Sequence, residues 1–125
     1  MNFKPELAER VMRGEKTVTR RLVSSNPRSP WFEGGCSLKV GHTYAVCPGR
    51  GKNAIGRVRI VSVDKRHLGQ GLTTAEARAE GFADRGEFRS AWTEINGSWS
   101  DGVLVWRVEF AVVQPEDYAL WEGTA

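Results

Sequence analysis

The chain has 125 residues, of which 40% are apolar and 26% charged, a composition that suits one domain with a modest core. It excludes an intrinsically disordered chain, and no run of about 18 apolar residues indicates a membrane-spanning helix. We therefore expect a single domain over residues 1–125 with no membrane partner. Residues 1–13 are polar and lack the apolar run of a signal peptide, which predicts a cytoplasmic protein.

Charge is distributed unevenly along the sequence. Residues 1–67 carry 14 Lys and Arg against 5 Asp and Glu, a net charge of +9, whereas residues 68–125 carry 4 against 10, a net charge of −6. A basic surface attracts polyanions such as RNA. A solvated basic surface without any partner would give the same asymmetry, so both interpretations stay open.

A short helix followed by a strand is predicted at the start of the chain. A proline favours the helix start, Gly14 favours its end, and apolar residues recur every four positions between them, which predicts a helix over Glu6–Arg13. Thr17–Leu22 is rich in β-forming residues and alternates in character. This segment is predicted as a strand with Thr19 and Arg21 on one face.

A long loop and a β-hairpin are predicted next. Val23–Gly35 contains Ser, Asn, two Pro and a Gly pair, which is typical of a loop, and loops of this length often border a site. Thr43–Cys47 and Ala54–Val63 are predicted strands, and the glycines of the segment Pro48–Asn53 suit a turn between them.

Two helices and a final strand complete the predicted elements. Capping boxes that start at Thr73 and Asp84 open two short helices, the first of which ends near Glu80. An apolar stripe in the second helix is predicted to join the core and consists of Phe88, Trp92 and Ile95. Val103–Val113 alternates throughout, and its predicted buried face consists of Leu104, Trp106, Val108, Phe110 and Val112. Strands at both ends with helices between them predict an α+β domain whose sheet curls toward a small barrel.

The segment from Gly14 to Arg21 places a lysine, two threonines and two arginines where a helix gives way to a strand. The spacing Gly14-x-Lys16-x-x-x-x-Arg21 resembles the G-x-K-x-x-x-x-R signature of ASCH domains. The likeness extends through Ala54–Val63, the Ala-Glu-Gly helix end at Glu80, and the closing strand. It implies a PUA-like small β-barrel with about three short helices and a cleft beside the signature, in a superfamily associated with RNA binding and RNA modification.

The resemblance also implies a reaction. Some small bacterial ASCH proteins are amidohydrolases that remove the acetyl group from N4-acetylcytidine with a Lys, a Thr three positions later and a Glu from a later helix. The matching residues are Lys16, Thr19 and Glu80, which would hydrolyse an N4-acylated cytidine without a metal or organic cofactor. Thr19 would be the nucleophile, Lys16 its base and Glu80 the group that carries a proton to the departing amine. Two alternatives stay open, a non-catalytic module that binds RNA or a modified base, and a metal-independent ribonuclease.

Six further residues are candidate contacts to RNA or a modified nucleoside, namely Arg20, Arg21, Arg50, Lys52, Trp31 and Trp99. Arg21 shares the Thr19 face and could bind a phosphate or a carbonyl. The turn that carries Arg50 and Lys52 lacks the complete phosphate-loop motif, so it is either an RNA phosphate contact or a solvated turn. The two tryptophans lie in predicted loops, where they could stack on a base or simply cover the barrel.

Lys16 and Thr19 differ by three positions and would face opposite sides of one regular strand. Lys16 is therefore expected in the turn that precedes the strand.

The remaining reactive residue types show no catalytic or metal-binding pattern. Cys36 and Cys47 lack a C-x-x-C partner and a neighbouring His pair, which predicts two free thiols and no metal site. His42 and His67 stand alone between turn-like residues, so neither Ser-His-Asp nor Cys-His catalysis is indicated. Nothing in the sequence specifies an oligomeric state.

Overall fold

The computed structural model of the protein describes residues 1–116. The elements of this part of the chain are α1 (Pro5–Met12), β1 (Val18–Leu22), β2 (Thr43–Val46), β3 (Gly56–His67), α2 (Thr74–Ala79), α3 (Arg85–Asn96) and β4 (Leu104–Val112). Each corresponds to a predicted element with ends one or two residues away, except that β3 continues four residues past Val63. No helix in residues 1–116 is long and apolar enough to cross a bilayer.

The four strands form one antiparallel sheet in the order β1-β4-β3-β2. The hairpin predicted for β2 and β3 is confirmed, with Val46 opposite Gly56. The pairing of β3 with β4 shifts register between Ile60 and Ser62, and such a bulge bends a sheet and increases its twist. The sheet curls into a half-barrel, which confirms the predicted α+β class with three short helices.

The apolar side chains are buried in two clusters. The first cluster lies between α1 and the sheet and consists of Phe3, Ala8, Val11, Cys36, Leu38, Val46, Val58, Ile60, Val108 and Phe110. The second is formed with α2 and α3 and consists of Leu68, Ala77, Phe88, Trp92 and Val105. Val105 and Val108 lie three positions apart on β4 and therefore face opposite sides of the sheet, so apolar side chains cover both faces of this strand.

Two core assignments made from the sequence are wrong. Leu104 is 44% exposed, whereas Val105, which the alternation assigned to the other face, is fully buried. The reason is that the second cluster covers the Val105 face at the start of β4. Ile95 is 54% exposed, so the predicted stripe of α3 reaches the core only through Phe88 and Trp92.

The segments outside the helices and strands are held to the sheet by specific contacts. An isolated bridge joins Asn2 to Cys47, which lays the N-terminal segment beside the end of β2. The loop Val23–Gly35 is anchored by the indole of Trp106, which donates to the carbonyl of Trp31 at 3.0 Å. These contacts hold both segments against the sheet.

Candidate active site

A cleft of about 460 Å³ opens between the N-terminal segment, β1, the turn after β2, and α3. This is within the usual size range of small-molecule sites, about 300–1,000 Å³. Its polar lining consists of Asn2, Lys4, Lys16, Thr19, Arg20, Arg21, Arg50, Glu80 and Asn96. Its apolar lining consists mainly of Phe3, Pro5, Leu7, Leu22, Phe82, Phe88, Ala91, Trp92 and Ile95. The cleft therefore combines a charged floor with walls on which a flat ring can pack.

Lys16 lies in the turn between α1 and β1, as its spacing from Thr19 predicted. Gly14 has a φ of +77°, a left-handed conformation that favours glycine and redirects the chain after α1. The backbone N–H of Lys16 then donates to the carbonyl of Arg10 at 3.1 Å. The turn brings the lysine side chain into the interior, where only 3% of the residue is exposed.

The ammonium group of Lys16 is fully hydrogen-bonded. Its Nζ donates to the carbonyl oxygens of Val18 and Glu80, both at 2.8 Å, and to Oε1 of Glu80 at 3.1 Å. Burial lowers the pKa of Lys16, and the Glu80 carboxylate acts in the opposite direction. Desolvation reduces the free-energy difference between the charged and the neutral form of the amine. The Lys16 side chain can therefore act as a base in its neutral form.

Glu80 holds two cations together at the floor of the cleft. It caps the C-terminal end of α2, and Gly81 after it has a φ of +99°. A Cβ atom at Gly81 would lie 3.2 Å from Cβ of Lys16, so glycine allows the helix end and the lysine stem to approach closely. The second carboxylate oxygen of Glu80 accepts from Nη1 of Arg20 at 2.8 Å.

Sequence reasoning missed an ion-pair network behind Glu80. Arg20 and Arg107 lie directly opposite each other on β1 and β4, where two like charges would repel. Glu76 lies between them, accepting from Nη2 of Arg20 at 2.8 Å and from Nη2 of Arg107 at 3.3 Å. Burial raises the pKa of Glu76, but the hydrogen bonds from the two arginines outweigh that effect and hold this pKa below its usual range. The only sequence signal was the four-residue spacing of Glu76 and Glu80 on one helix.

Thr19 and Arg21 form the second polar group of the cleft. Nε of Arg21 donates to Oγ1 of Thr19 at 3.2 Å, and its Nη2 donates to the carbonyl of Asn2 at 2.8 Å. The guanidinium carbon lies 5.1 Å from the ring centre of Phe3 and 5.3 Å from that of Trp31, so two aromatic faces hold the cation. Within residues 1–116 no hydrogen bond joins Lys16 Nζ to Thr19 Oγ1.

The remaining candidate residues lie in different places. Arg50 is exposed and lines the cleft, whereas Lys52 is exposed on the same turn but outside the lining. The ring of Trp31 contacts the guanidinium group of Arg21. Trp99 packs against the second cluster, 5.9 Å from the ring centre of Phe88, and its Nε1 donates to Asp101 at 2.7 Å. Neither tryptophan lines the cleft.

Helix α3 supplies a cleft wall that was assigned to the core from the sequence. Trp92 and Ile95 both line the cleft together with Ala91. The apolar spacing on α3 located these side chains on one face, but the spacing is the same for a core and for an apolar binding surface. All three residues of the stripe line the cleft, and Ile95 is the one whose side chain is largely exposed there.

The family model of the ASCH domain matches residues 1–114. Among solved structures, an ASCH domain from Lactobacillus crispatus is 23% identical with a TM-score of 0.58, over 86% of this chain and 70% of that one. A protein from Enterococcus faecalis is 17% identical with a TM-score of 0.62, over the same shares of both chains, 86% and 70%. An ASCH protein from Zymomonas mobilis is 16% identical with a TM-score of 0.55, over 91% of this chain and 65% of that one. No curated protein matches the sequence.

Similarity at these identities shows a shared fold, and the match of the family model extends over nearly the whole chain. The signature residues Lys16 and Arg21 line the cleft that this fold leaves at the open edge of β1. The chain therefore belongs to the ASCH domain family and has its PUA-like α+β fold.

Proposed function

We propose that this ASCH protein takes a modified nucleoside, free or within RNA, into the cleft and hydrolyses the amide of an N4-acylated cytidine. One observation carries the proposal. Lys16, Thr19 and Glu80 come from a turn, a strand and a helix end, and all three line the same cleft. A hydroxyl, a buried amine and a carboxylate around one cavity can supply the nucleophile, the base and the proton carrier for acyl transfer from an amide.

The walls of the cleft fit a nucleoside. Phe82, Trp92 and Ile95 offer apolar surface for a flat pyrimidine. Arg50 lies at the border of the cleft, where a guanidinium can contact a phosphate of a nucleotide or an RNA. These two features support a ligand that combines a base with a negatively charged backbone.

The first step would transfer the acyl group to Thr19. The Oγ1–H proton moves to the neutral amine of Lys16 while Oγ1 attacks the acyl carbon. The C–N bond then breaks, and the proton passes from Lys16 through Glu80 to N4 of the departing cytosine. The hydrogen bond between Lys16 Nζ and Glu80 Oε1 provides the path for this proton. The products of the step are cytidine and an acyl ester on Thr19.

The second step would release the acid with one water molecule. Water attacks the ester carbon and gives a proton to Lys16, the bond to Oγ1 breaks, and Oγ1 recovers a proton from Lys16. The sum of both steps is amide plus water giving cytidine and a carboxylic acid. Throughout, Arg21 would stabilise the negative charge that develops on the acyl oxygen, since its Nε already contacts Thr19 Oγ1. Lys16 must exchange its bond to the Val18 carbonyl for one to Thr19 in order to start the reaction.

Purified protein incubated with N4-acetylcytidine tests the proposal, with cytidine and acetate followed by chromatography. We expect stoichiometric release of both products. Thr19→Ala should abolish release while it leaves the affinity for N4-acetylcytidine nearly unchanged, because it removes one hydroxyl and no charge. Thr19→Ser is the matched control and should retain activity. Thr19→Ala turnover above about a tenth of the wild-type rate would refute the nucleophile role.

A non-catalytic binding module is the second candidate, and one observation favours it. In the structure the Lys16 ammonium has three acceptors and the Glu80 carboxylate has two cationic donors, an arrangement that is stable without any reaction. Binding of N4-acetylcytidine without release of acetate by the wild-type protein would support this candidate. Shortening of mixed RNA in a parallel incubation would instead support a ribonuclease.

A further inference from the structure

The orientation of the main chain along β1 follows from its pairing with β4. Phe110 N–H donates to the carbonyl of Thr17 at 2.9 Å, and Val23 N–H donates to the carbonyl of Leu104 at 3.1 Å. In an antiparallel pair, alternate residues direct their N–H and C=O groups to the partner strand. The odd-numbered residues of β1 therefore pair with β4. The even-numbered residues direct both backbone groups away from it.

In the part of the chain that the structure describes, β1 is the last strand of the sheet, so its opposite edge has no strand beside it. The carbonyl of Val18 points to this open edge, where it accepts the bond from Lys16 Nζ at 2.8 Å. Arg20 is the next even-numbered residue. Within residues 1–116, neither its backbone N–H nor its carbonyl has a hydrogen-bond partner on the open side.

The unpaired groups of Arg20 face the cleft. Only 3% of the residue is exposed, and its side chain is 0% exposed. The surface that Arg20 contributes to the cleft is therefore main-chain surface. Buried backbone groups almost always have a hydrogen-bond partner, and this donor and acceptor pair has none within residues 1–116, so it is available to a ligand in the cleft.

We propose that the main chain of Arg20 recognises the pairing edge of the base in the cleft. Its N–H donates to N3 of the cytosine ring, and its carbonyl accepts the N4–H of the acylated amine. The ligand class is thus a pyrimidine that carries an acceptor beside an N–H donor. The acyl group attached to N4 is then held next to Thr19, the neighbouring residue. This inference rests on the proposed function, because it specifies how the same substrate is selected.

The Arg20 side chain holds the main chain in place for this role. Its two terminal nitrogens contact Glu80 and Glu76, each at 2.8 Å, so two carboxylates fix the position of the residue. A fixed donor and acceptor pair loses little freedom when a ligand binds. Base selection would therefore depend on the backbone at position 20, and side-chain substitutions there would disturb it only indirectly.

Two modified ligands and one modified protein test the inference. N4-Acetyl-3-deazacytidine lacks the N3 acceptor, and N4-acetyl-N4-methylcytidine lacks the N4–H donor. Each should bind about tenfold more weakly than N4-acetylcytidine, the loss expected for one hydrogen bond. Affinities are measured by calorimetry with the Thr19→Ala protein, so that no ligand is consumed.

The modified protein carries an ester in place of the backbone amide of Arg20. Ligation at the Gly35–Cys36 junction joins a synthetic peptide of residues 1–35 to the rest of the chain, so the complete protein is obtained. The ester removes the N–H of Arg20 and should weaken N4-acetylcytidine binding about tenfold. It should cause no further loss with the 3-deaza ligand, because the partner of that N–H is already missing. The same ester at Leu22, the next residue on the open edge, is the matched control.

The outcomes separate the two proposals. Unchanged affinity in the Arg20 ester, or equal losses from the Arg20 and Leu22 esters, would overturn the assignment to Arg20 while leaving the proposed substrate in place. If the Arg20 ester weakens binding only of ligands that carry N3, and the wild-type protein hydrolyses none of them, base recognition by Arg20 is supported and the hydrolase is refuted. Absence of N4-acetylcytidine binding to the protein with an unmodified backbone would refute both.

Discussion

Lys16 and Glu80 form a buried ion pair in which Nζ lies 3.1 Å from Oε1 and each side chain is 3% exposed. Arg20 contacts the other carboxylate oxygen at 2.8 Å. One carboxylate thus contacts two cations in the interior. Removal of its charge leaves Lys16 with backbone carbonyls alone and Arg20 with Glu76 as its remaining carboxylate partner. This is costly because buried charges need an oppositely charged partner.

Glu80→Gln should therefore lower the free energy of unfolding by about 3–5 kcal/mol, the loss typical of a broken buried pair. Urea denaturation followed by tryptophan fluorescence measures it. The double variant Lys16→Met with Glu80→Gln should lose less than the sum of the two single variants, because the unpaired ammonium is gone. Glu15→Gln breaks an exposed pair with Arg13 and should hardly change stability. A Glu80→Gln protein as stable as Glu15→Gln would contradict the importance of the pair.

Gly81 and Gly14 offer a second test, since both have positive φ angles, +99° and +77°. Alanine at either position should cost about 1–2 kcal/mol in backbone strain. Only at Gly81 would the added Cβ also meet Lys16, at 3.2 Å, whereas nothing lies within 4 Å of it at Gly14. Gly81→Ala should therefore impair N4-acetylcytidine hydrolysis as well as stability, and Gly14→Ala should lower stability alone. Equal activity in the two variants would show that the Lys16 stem tolerates displacement.

Local signals explain why the helices could be predicted. Thr73 and Asp84 accept from the backbone N–H groups of Glu76 and Glu87, as the capping boxes indicated. Such contacts join residues three positions apart, so they can be recognised in the sequence. The turn placement of Lys16 was predictable for the same reason, because it follows from the alternation of a strand.

Long-range relationships could not be predicted in this way. Arg20 faces Arg107 only because β1 pairs with β4, and no local pattern specifies that register. The bridging role of Glu76 depends on this pairing, and so does the orientation of the Arg20 backbone groups that lack a partner within residues 1–116. Ile95 shows a related difficulty, since a helical stripe has the same spacing in a core and in a cleft wall.

Variants of Arg50 and Lys52 distinguish binding of a ligand in the cleft from binding of a longer RNA. Arg50 lines the cleft and Lys52 does not, although both lie on the turn after β2. Arg50→Ala should weaken binding of N4-acetylcytidine 5′-monophosphate, and Lys52→Ala should leave it unchanged. For an RNA oligonucleotide, the double variant should lower the slope of log K against log salt by up to about two. An unchanged slope would place the RNA surface elsewhere on the protein.

The pH dependence of hydrolysis tests the role of Lys16 as a base. Burial lowers the pKa of its amine, Glu80 raises it, and the nearby charges of Arg21 and Arg20 lower it further. Only the neutral amine accepts a proton, so the rate should rise with pH and level off above the pKa of Lys16. The midpoint should lie below the ordinary lysine value of about 10.4. Initial rates measured over the pH range in which the protein stays folded give this midpoint.

A variant that replaces a neighbouring arginine with an uncharged residue determines whether the midpoint of the rate profile belongs to Lys16. Arg21→Gln removes a cation that disfavours the ammonium form, so the pKa of Lys16 and the midpoint of the rate profile should both move to higher pH. The carbon-13 shift of Lys16 Cε, followed by NMR through the same titration, reports the amine directly. The two midpoints should agree in the wild-type protein and move together in the variant. A rate midpoint that stays constant while the NMR midpoint moves would assign the proton transfer to another group and favour the binding module over the hydrolase.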